Sequence, residues 1–137
     1  MSASSRAVAA GLTEPGEALF RLMAEQWPGA VLVLDRELRV LWANPVACRL
    51  VGHERGPLHR LRWAELRLPW ELGAEQLRAL LGGERLKLQA ALLTDGDGTQ
   101  RPYAAQLVPL ADGHDHVTAI LCVIDESAPP PQIGVWQ

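Results

Sequence analysis

A pair of short, mainly apolar runs joined by a polar turn constrains the fold of this chain more than any other feature. The runs occupy residues 30–34 and 39–43, and Arg36 and Glu37 lie in the turn between them. Apolar runs of about four to eight residues that are bounded by turn residues are typical of β-strands. Residues 30–43 are therefore predicted to form a β-hairpin.

A short helix with recognisable ends follows this hairpin at once. Asn44 can cap a helix with its side-chain oxygen, and Pro45 is favoured at the first helical position because it lacks an N–H and has a fixed φ. Gly52 can adopt the left-handed conformation that ends a helix. The spacing from Asn44 to Gly52 predicts a helix of about two turns.

Three further strands are predicted in the second half of the chain. Residues 86–92 alternate between apolar and polar side chains, as in a half-buried antiparallel strand. Residues 95–98, Asp-Gly-Asp-Gly, form a strong turn signal because glycine supplies positive φ and aspartate tolerates it. Strands over 101–110 and 117–125 follow, separated by a second turn at 111–116. Such short connections predict an antiparallel meander.

Helical segments occupy the region between the two groups of strands. Pro57 and Pro69 interrupt residues 53–84, and the clearest helix in this region spans 74–81 and ends at two glycines. The first hairpin must join the same sheet as the later strands in order to cover its edges. The predicted fold class is therefore α+β, with a five-stranded antiparallel sheet and helices across one face.

An amphipathic helix is predicted ahead of the hairpin, over residues 13–27, with a helix start at Thr13 and Pro15. Its apolar residues recur at spacings of three and four. These residues are Leu19, Phe20, Leu22, Met23 and Trp27. Such a stripe packs on the helix's own domain or pairs with a second copy of the chain. The five residues are the candidate dimer interface.

The chain divides into four segments. Residues 1–12 are expected to be a flexible N-terminus, followed by the helix over 13–27. Residues 28–127 are expected to form one folded domain, because a chain of 137 residues has the length of a single domain. Residues 128–137 are a proline-rich tail or linker, in which three consecutive prolines favour an extended conformation.

Composition argues against several classes of function. A net charge of −3 without a cluster of lysine and arginine is unlike a nucleic-acid-binding domain. No run approaches the about 18 apolar residues of a membrane-spanning helix, and the N-terminus does not resemble a secretory signal. Cys48 and Cys122 lack metal-ligand spacing, and two cysteines do not reach the density of a secreted disulfide scaffold, which favours a reduced, cytoplasmic location. No catalytic motif is present, so an enzyme is not expected.

The pattern resembles the PAS domain, a small sensory module of signalling proteins. The matching residues of the opening hairpin and helix are Asp35, Asn44, Pro45 and Gly52. The Asp-Gly turn before the next-to-last strand and the final strand at 117–125 match as well, so that the resemblance covers residues 17–127.

The chain departs from the PAS pattern in two places. PAS domains often end in an Asp-Ile-Thr triplet that leads to an output helix, whereas this chain has Asp125-Glu126-Ser127 and then a proline-rich segment. The region at 55–69, which normally shapes the ligand pocket, also matches poorly.

The resemblance implies a sensory and dimerisation input domain of a bacterial sensor histidine kinase or transcriptional regulator. It further implies an output domain in the same chain or in a partner protein, and either a small-molecule ligand or a partner surface that shifts the domain between two arrangements. The expected homodimer forms through the N-terminal helix. The candidate pocket residues are Trp42, Trp63, Trp70, Leu77 and Leu81.

Each candidate ligand of a cofactor or metal also has a simpler explanation in the sequence. His114 and His116 lie beside acidic residues but in a surface turn, where polar residues are expected. His53 and His59 are possible haem ligands by analogy with the family, yet neither lies on a clear amphipathic helix. Cys48 lacks the sequence context of a photoreactive flavin site. No metal site is predicted. The sequence favours a domain without a cofactor over one that binds haem or flavin.

Two other classes of function stay open. A ligand-free domain for protein–protein interaction would have a filled core and the same fold. A small α+β enzyme of the hot-dog type would need a long helix directly after an early strand, and the two turns between Asn44 and Gly52 argue against it.

Overall fold

The computed structural model describes residues 14–51, 58–94 and 98–127. Its helices are α1 (Glu14–Glu25), α2 (Pro45–Val51) and α3 (Ala74–Leu81), with a 3₁₀ turn at Trp63–Leu66. Its strands are β1 (Ala30–Leu34), β2 (Val40–Ala43), β3 (Leu86–Thr94), β4 (Gln100–Ala111) and β5 (Val117–Glu126). The predicted α+β fold is confirmed. The expectations for 1–12, Thr13, Gly52, His53, 95–97 and 128–137 lie outside the described residues.

The five strands form one antiparallel sheet in the order β2-β1-β5-β4-β3. The last strand, β5, lies at the centre of the sheet. It pairs with β1 of the first hairpin on one side and with β4 on the other. The prediction that the hairpin joins the same sheet is confirmed. The beginning and the end of the domain therefore lie side by side at the centre of the sheet.

The sheet has two apolar faces, which explains why β1 is apolar at every position. The inner face carries α2 and α3, and Ala30, Leu32 and Leu34 of β1 belong to its core cluster. Val33 belongs to a second, smaller cluster on the opposite, outer face. All five residues of β1 are buried. A strand covered on both sides shows a continuous apolar run instead of alternation.

A β-bulge in the first hairpin changes the direction of Trp42. Val33 pairs with Trp42, and Leu34 pairs with Val40, so that Leu41 has no partner of its own in β1. An extra residue of this kind reverses the alternation of side chains beyond it. Trp42 consequently packs with Val33 in the outer cluster.

The hairpin turn is held by its aspartate. Asp35 Oδ1 accepts hydrogen bonds from the backbone N–H groups of Glu37 and Arg39, at 2.8 Å and 2.9 Å. Leu38 adopts a left-handed backbone with φ of 63° and is nevertheless buried. The Asx turn offsets the strain of that conformation and fixes the pairing of β1 with β2.

A short extended segment covers the free edge of β2 and positions Trp63. The backbone N–H of Val40 donates to the carbonyl oxygen of Leu61 at 2.9 Å, and that of Trp63 donates to Leu38 at 2.9 Å. These bonds use the N–H and C=O groups that an edge strand would otherwise expose. Sequence patterns in this region indicate only mixed helix and loop.

Within the described residues, no helix is long and apolar enough to span a bilayer.

Candidate functional site

Asn44 joins α1, β1 and α2 through four hydrogen bonds. Its side chain is fully buried. Oδ1 accepts from the backbone N–H groups of Ala47 and Val31, at 2.9 Å and 3.0 Å. The side-chain NH₂ donates to the carbonyl oxygens of Ala24 and Gly29, both at 2.9 Å. The predicted cap of α2 is confirmed, and the same side chain also anchors the C-terminal end of α1.

One stripe of α1 packs on the outer face of the sheet. The ring of Phe20 lies 5.9 Å from the ring of Trp42, measured between centroids. Phe20 packs in the outer cluster with Val33 and Ala119, and Ala24, one turn further along, is buried. Phe20, one of the five candidate dimer residues, is thus turned toward its own domain.

A second stripe of α1 faces solvent. Leu19, Leu22 and Met23 are 58%, 58% and 59% exposed, and Trp27 just beyond the helix is 46% exposed. Residues at spacings of three and four lie on one side of a helix. An exposed apolar patch of this kind on a small domain is typical of an interaction surface.

Two cavities adjoin this helix on the outer face. A crevice of about 170 Å³ lies beneath α1 and has Phe20, Met23 and Leu121 in its walls. A larger groove of about 560 Å³ lies over β3, β4 and β5. Trp27 and Val123 line both cavities, so the two cavities adjoin at these residues.

The larger groove, called the sheet groove below, has an aromatic wall and polar sides. Trp27 forms one wall, and Lys87, Gln89 and Gln106 contribute polar side chains from β3 and β4. Lys87 is the only lysine of the chain. Asp125 and Glu126 line the end of the groove at the end of β5. The sequence offered no signal for this groove, because it depends on how far α1 extends across the sheet.

Two tryptophans form a hydrogen-bonded series on the inner side of the sheet. Trp63 and Trp70 are 5% and 8% exposed. The indole N–H of Trp63 donates to the carbonyl oxygen of Trp70 at 2.8 Å. The indole N–H of Trp70 donates in turn to the backbone carbonyl oxygen of Gln89 at 2.7 Å. Gln89 lies at an irregularity in the pairing of β3 with β4 and also lines the sheet groove. Residues of the inner core are therefore connected to the outer surface.

The structure does not bring the five candidate pocket residues together. Trp63, Trp70 and Leu77 share the inner cluster. Trp42 lies on the opposite face, because the bulge at Leu41 turns it outward. Leu81, at the end of α3, is half-buried and belongs to neither cluster. Three of the five candidate residues therefore lie in one cluster, and Trp42 and Leu81 lie apart from it.

The histidines and cysteines occupy other positions. His59 is exposed, and its Nδ1 lies 3.2 Å from the carbonyl oxygen of Leu41. Cys48 and Cys122 are reduced thiols buried in the core, and burial raises the pKa of the Cys122 thiol. Within the described ranges, no group of three or more His, Cys, Asp or Glu side chains is placed to hold a metal ion.

The turn between β4 and β5 is organised by Asp112. The backbone N–H groups of His114 and His116 donate to Asp112 Oδ1 at 2.8 Å and 3.0 Å. These two hydrogen bonds hold the pKa of the Asp112 carboxyl below its ordinary value of 3.8. The histidines therefore take part in this turn through their backbone.

Replacing Asp112 by Asn should make the stability of the chain less dependent on pH in the acid range. Folding lowers the pKa of Asp112. The charged carboxylate therefore stabilises the fold at pH values above the pKa of Asp112 in the unfolded chain, and this stabilisation is lost as pH falls through its pKa in the folded chain. In urea unfolding from about pH 6 to about pH 3, we expect the stability advantage of wild type over Asp112→Asn to shrink below pH 4. An advantage that is constant with pH would contradict this role.

Comparison with known proteins identifies the fold. The sequence profile of a family described as PAS fold matches residues 24–127. A domain of a sensory box sensor histidine kinase/response regulator from Geobacter sulfurreducens superposes with a TM-score of 0.60, 21% identity, and coverage of 80% of this chain and 92% of that one. The PAS domain of nitrogen regulation protein NR(II) from Vibrio parahaemolyticus superposes with a TM-score of 0.61 and 17% identity. The superposition covers 80% of this chain and 98% of that one.

A third similar structure belongs to a longer protein. It is the VqmA dimer of Vibrio cholerae, described among DNA-binding LuxR-type receptors, with a TM-score of 0.62 and 15% identity. The superposition covers 81% of this chain and 51% of that one. No curated protein sequence matches this chain. At these identities the structural similarity establishes a shared fold.

Proposed function

Because this chain belongs to the PAS fold family, we propose that it is the sensory and dimerisation input domain of a bacterial signal-transduction protein, either a sensor histidine kinase or a transcriptional regulator. The observation that carries this proposal is the exposed apolar stripe of α1, formed by Leu19, Leu22 and Met23 beside Trp27. The kinase and regulator domains with the same fold support the choice of these two classes.

The proposed dimer joins the solvent-facing stripes of two α1 helices. A two-fold axis makes the same patch serve both protomers, so an apolar stripe on one surface is sufficient. Phe20 and Ala24 hold each helix on its own sheet, which leaves the outer stripe in a fixed position. Burying such side chains contributes about 25 cal/mol for each Å² of apolar surface removed from water.

Signal transfer in this proposal is a shift between two arrangements of α1 or of the two protomers. A ligand or partner that binds one arrangement more tightly than the other moves the equilibrium toward it. The ligand-responsive side is the inner one, at Trp63, Trp70 and Leu77, and the series from Trp63 to Gln89 leads from there to β3. The proposal places the domain in the cytoplasm and includes no metal or bound cofactor.

Leu22→Asp combined with Met23→Asp should convert the dimer into a folded monomer. In the centre of an apolar interface the two carboxylates would lose their hydration, which is costly, whereas in the monomer both positions face water. Sedimentation velocity measures the change, and circular dichroism checks the fold. The matched control is Arg49→Ala with Arg78→Ala, which changes the net charge by the same amount at exposed positions on α2 and α3. A variant that stays dimeric would exclude α1 as the interface.

A ligand-free interaction domain is the second candidate, and the two inner tryptophans favour it. Both indole N–H groups already have backbone partners, and both rings are buried among core residues. Native mass spectrometry of the purified chain, together with its absorption spectrum, separates the two candidates. A small molecule retained at a fixed stoichiometry supports the sensor, and a mass equal to that of the polypeptide alone supports the interaction domain.

A further inference from the structure

Two arginines lie directly opposite each other at the covered edge of the first hairpin. Arg39, just before β2, forms an isolated antiparallel bridge with Arg62 of the segment that runs along this edge. Backbone hydrogen bonds between the neighbouring residues flank the bridge on both sides. Arg39 and Arg62 are therefore a non-hydrogen-bonded pair, which is the arrangement that brings the side chains of opposite strands closest together.

Both arginine side chains point away from the inner core. Leu61 and Trp63, on either side of Arg62, belong to the inner cluster, and the backbone at Arg62 is extended. Successive side chains of an extended chain point to opposite sides, so Arg62 is turned to the outer side. Opposite residues of an antiparallel pair share a face, which places Arg39 beside Arg62 with their Cβ atoms about 4.5–5.5 Å apart. Arg60 and Arg62 are exposed.

The charge of these arginines is only partly balanced within the described residues. Glu37 lies 3.3 Å from Arg39. No described acidic side chain forms an ion pair with Arg60 or Arg62. Glu65, the nearest acidic residue in the sequence, accepts a hydrogen bond from the backbone N–H of Arg62 at 3.0 Å. The whole chain has a net charge of −3, so this positive surface does not follow from its overall composition.

The same edge combines features that lower the stability of the free chain. Like charges directly opposite each other on neighbouring strands are destabilising. Arg60 and Arg67 have left-handed backbones, with φ of 70° and 56°, a conformation that residues other than glycine rarely adopt. Locally unfavourable conformations cluster at functional sites, where binding requires them. Their combination with a like-charge pair in so short a segment is typical of a binding surface.

The chemistry of this surface fits an acidic peptide segment. Guanidinium groups bind carboxylates through charge-assisted and often bidentate hydrogen bonds. A single exposed charge pair contributes little, so several carboxylates are needed for measurable affinity. The exposure of Arg60 and Arg62 makes the surface open, whereas small ligands are usually held in concave sites. A segment that presents several carboxylates therefore fits better than a single small anion.

We propose that Arg39, Arg60 and Arg62, called the arginine edge below, form a docking surface for an acidic segment of a partner protein. Bound carboxylates neutralise the repulsion between Arg39 and Arg62, so the pair costs stability in the free chain and contributes affinity in the complex. The arginine edge shares no residue with the exposed stripe of α1. The docking surface is therefore independent of the proposed dimer.

Titration with hexaglutamate, followed by NMR at the arginine side-chain Nε–Hε groups, tests the arginine edge. Arg39→Gln combined with Arg62→Gln should weaken hexaglutamate binding about tenfold, because two exposed charge pairs of modest strength are lost. The matched control is Arg49→Gln with Arg78→Gln, which removes the same charge from exposed positions on α2 and α3. We expect the control variant to bind with the affinity of the parent chain.

Urea unfolding of Arg62→Gln gives a second readout. The substitution should raise the midpoint above that of the parent chain, because it removes the like-charge repulsion. A lowered midpoint would show that Arg62 is a structural residue and would overturn the proposal, since a site that trades stability for binding predicts the opposite sign.

Three binding results would also overturn the arginine edge as a surface for acidic peptides. They are the same hexaglutamate affinity in both double variants, no binding at low salt, and tighter binding of inorganic phosphate or of a hexanucleotide at equal ionic strength. Sedimentation velocity of the same variants reports on the dimer separately, so the two proposals can fail independently.

Discussion

Asn44→Ala should lower the free energy of unfolding by about 3 to 5 kcal/mol. The cap of α2 alone contributes about 0.5 to 2 kcal/mol. The substitution also leaves the buried N–H of Val31 and the carbonyl oxygen of Gly29 without the partner that Asn44 provides. The carbonyl oxygen of Ala24 still accepts a hydrogen bond from the backbone N–H of Trp27 at 3.2 Å. Each buried polar group left unpaired costs about 1 to 3 kcal/mol. Such a loss is a large fraction of the typical stability of a small domain.

Urea unfolding at constant pH measures this effect, and Asp35→Ala is the matched control. Asp35 also accepts two backbone N–H hydrogen bonds through one oxygen, but it lies in a surface turn. We expect its replacement to cost about 1 kcal/mol, because water can solvate the released groups. A loss of only 0.5 to 2 kcal/mol for Asn44→Ala would show that the cap matters and that the bonds to α1 do not.

Trp70→Ala is the second substitution with a large expected effect, a loss of about 3 to 5 kcal/mol. The ring is buried in the inner cluster, and its N–H pairs with the carbonyl oxygen of Gln89. Trp70→Phe keeps most of the ring volume but removes that donor, so a smaller loss of about 1 to 3 kcal/mol is expected. Amide hydrogen exchange should also quicken in β3 around Gln89 in both variants.

Trp27→Ala is the control for the Trp70 variants, since Trp27 is 46% exposed and lies outside the inner core. Its replacement should cost less than about 1.5 kcal/mol. Losses of similar size for Trp27 and Trp70 would contradict the assignment of Trp70 to the core. Unchanged exchange in β3 would contradict the connection from Trp63 through Trp70 to Gln89.

The sheet and the first hairpin were predictable because their signals are local. Period-two patterns and turn residues identify strands without knowledge of their neighbours. The same is true of the α2 cap, since Asn44 precedes Pro45 and its acceptor reaches the N–H of Ala47 three residues later. The NH₂ contacts of Asn44 could not be read in this way, because they depend on where the end of α1 lies.

The candidate site was less predictable for two physical reasons. The bulge at Leu41 reverses the direction of Trp42, and nothing in the local sequence marks it. The helix α1 has two apolar stripes, with Phe20 and Ala24 on one and Leu19, Leu22 and Met23 on the other. Periodicity in the sequence shows a single apolar set on this helix, and only the position of the sheet divides it into a buried stripe and an exposed one.

The most direct test of the proposed dimer is isotope-filtered nuclear Overhauser spectroscopy on a mixture of labelled and unlabelled chains. Only contacts between protomers give signals in this experiment. We predict signals among the methyl groups of Leu19, Leu22 and Met23 and the ring of Trp27, all of which are exposed in the single chain. Contacts confined to α2, α3 or the β3 edge, or no contact between protomers at all, would contradict dimerisation through α1.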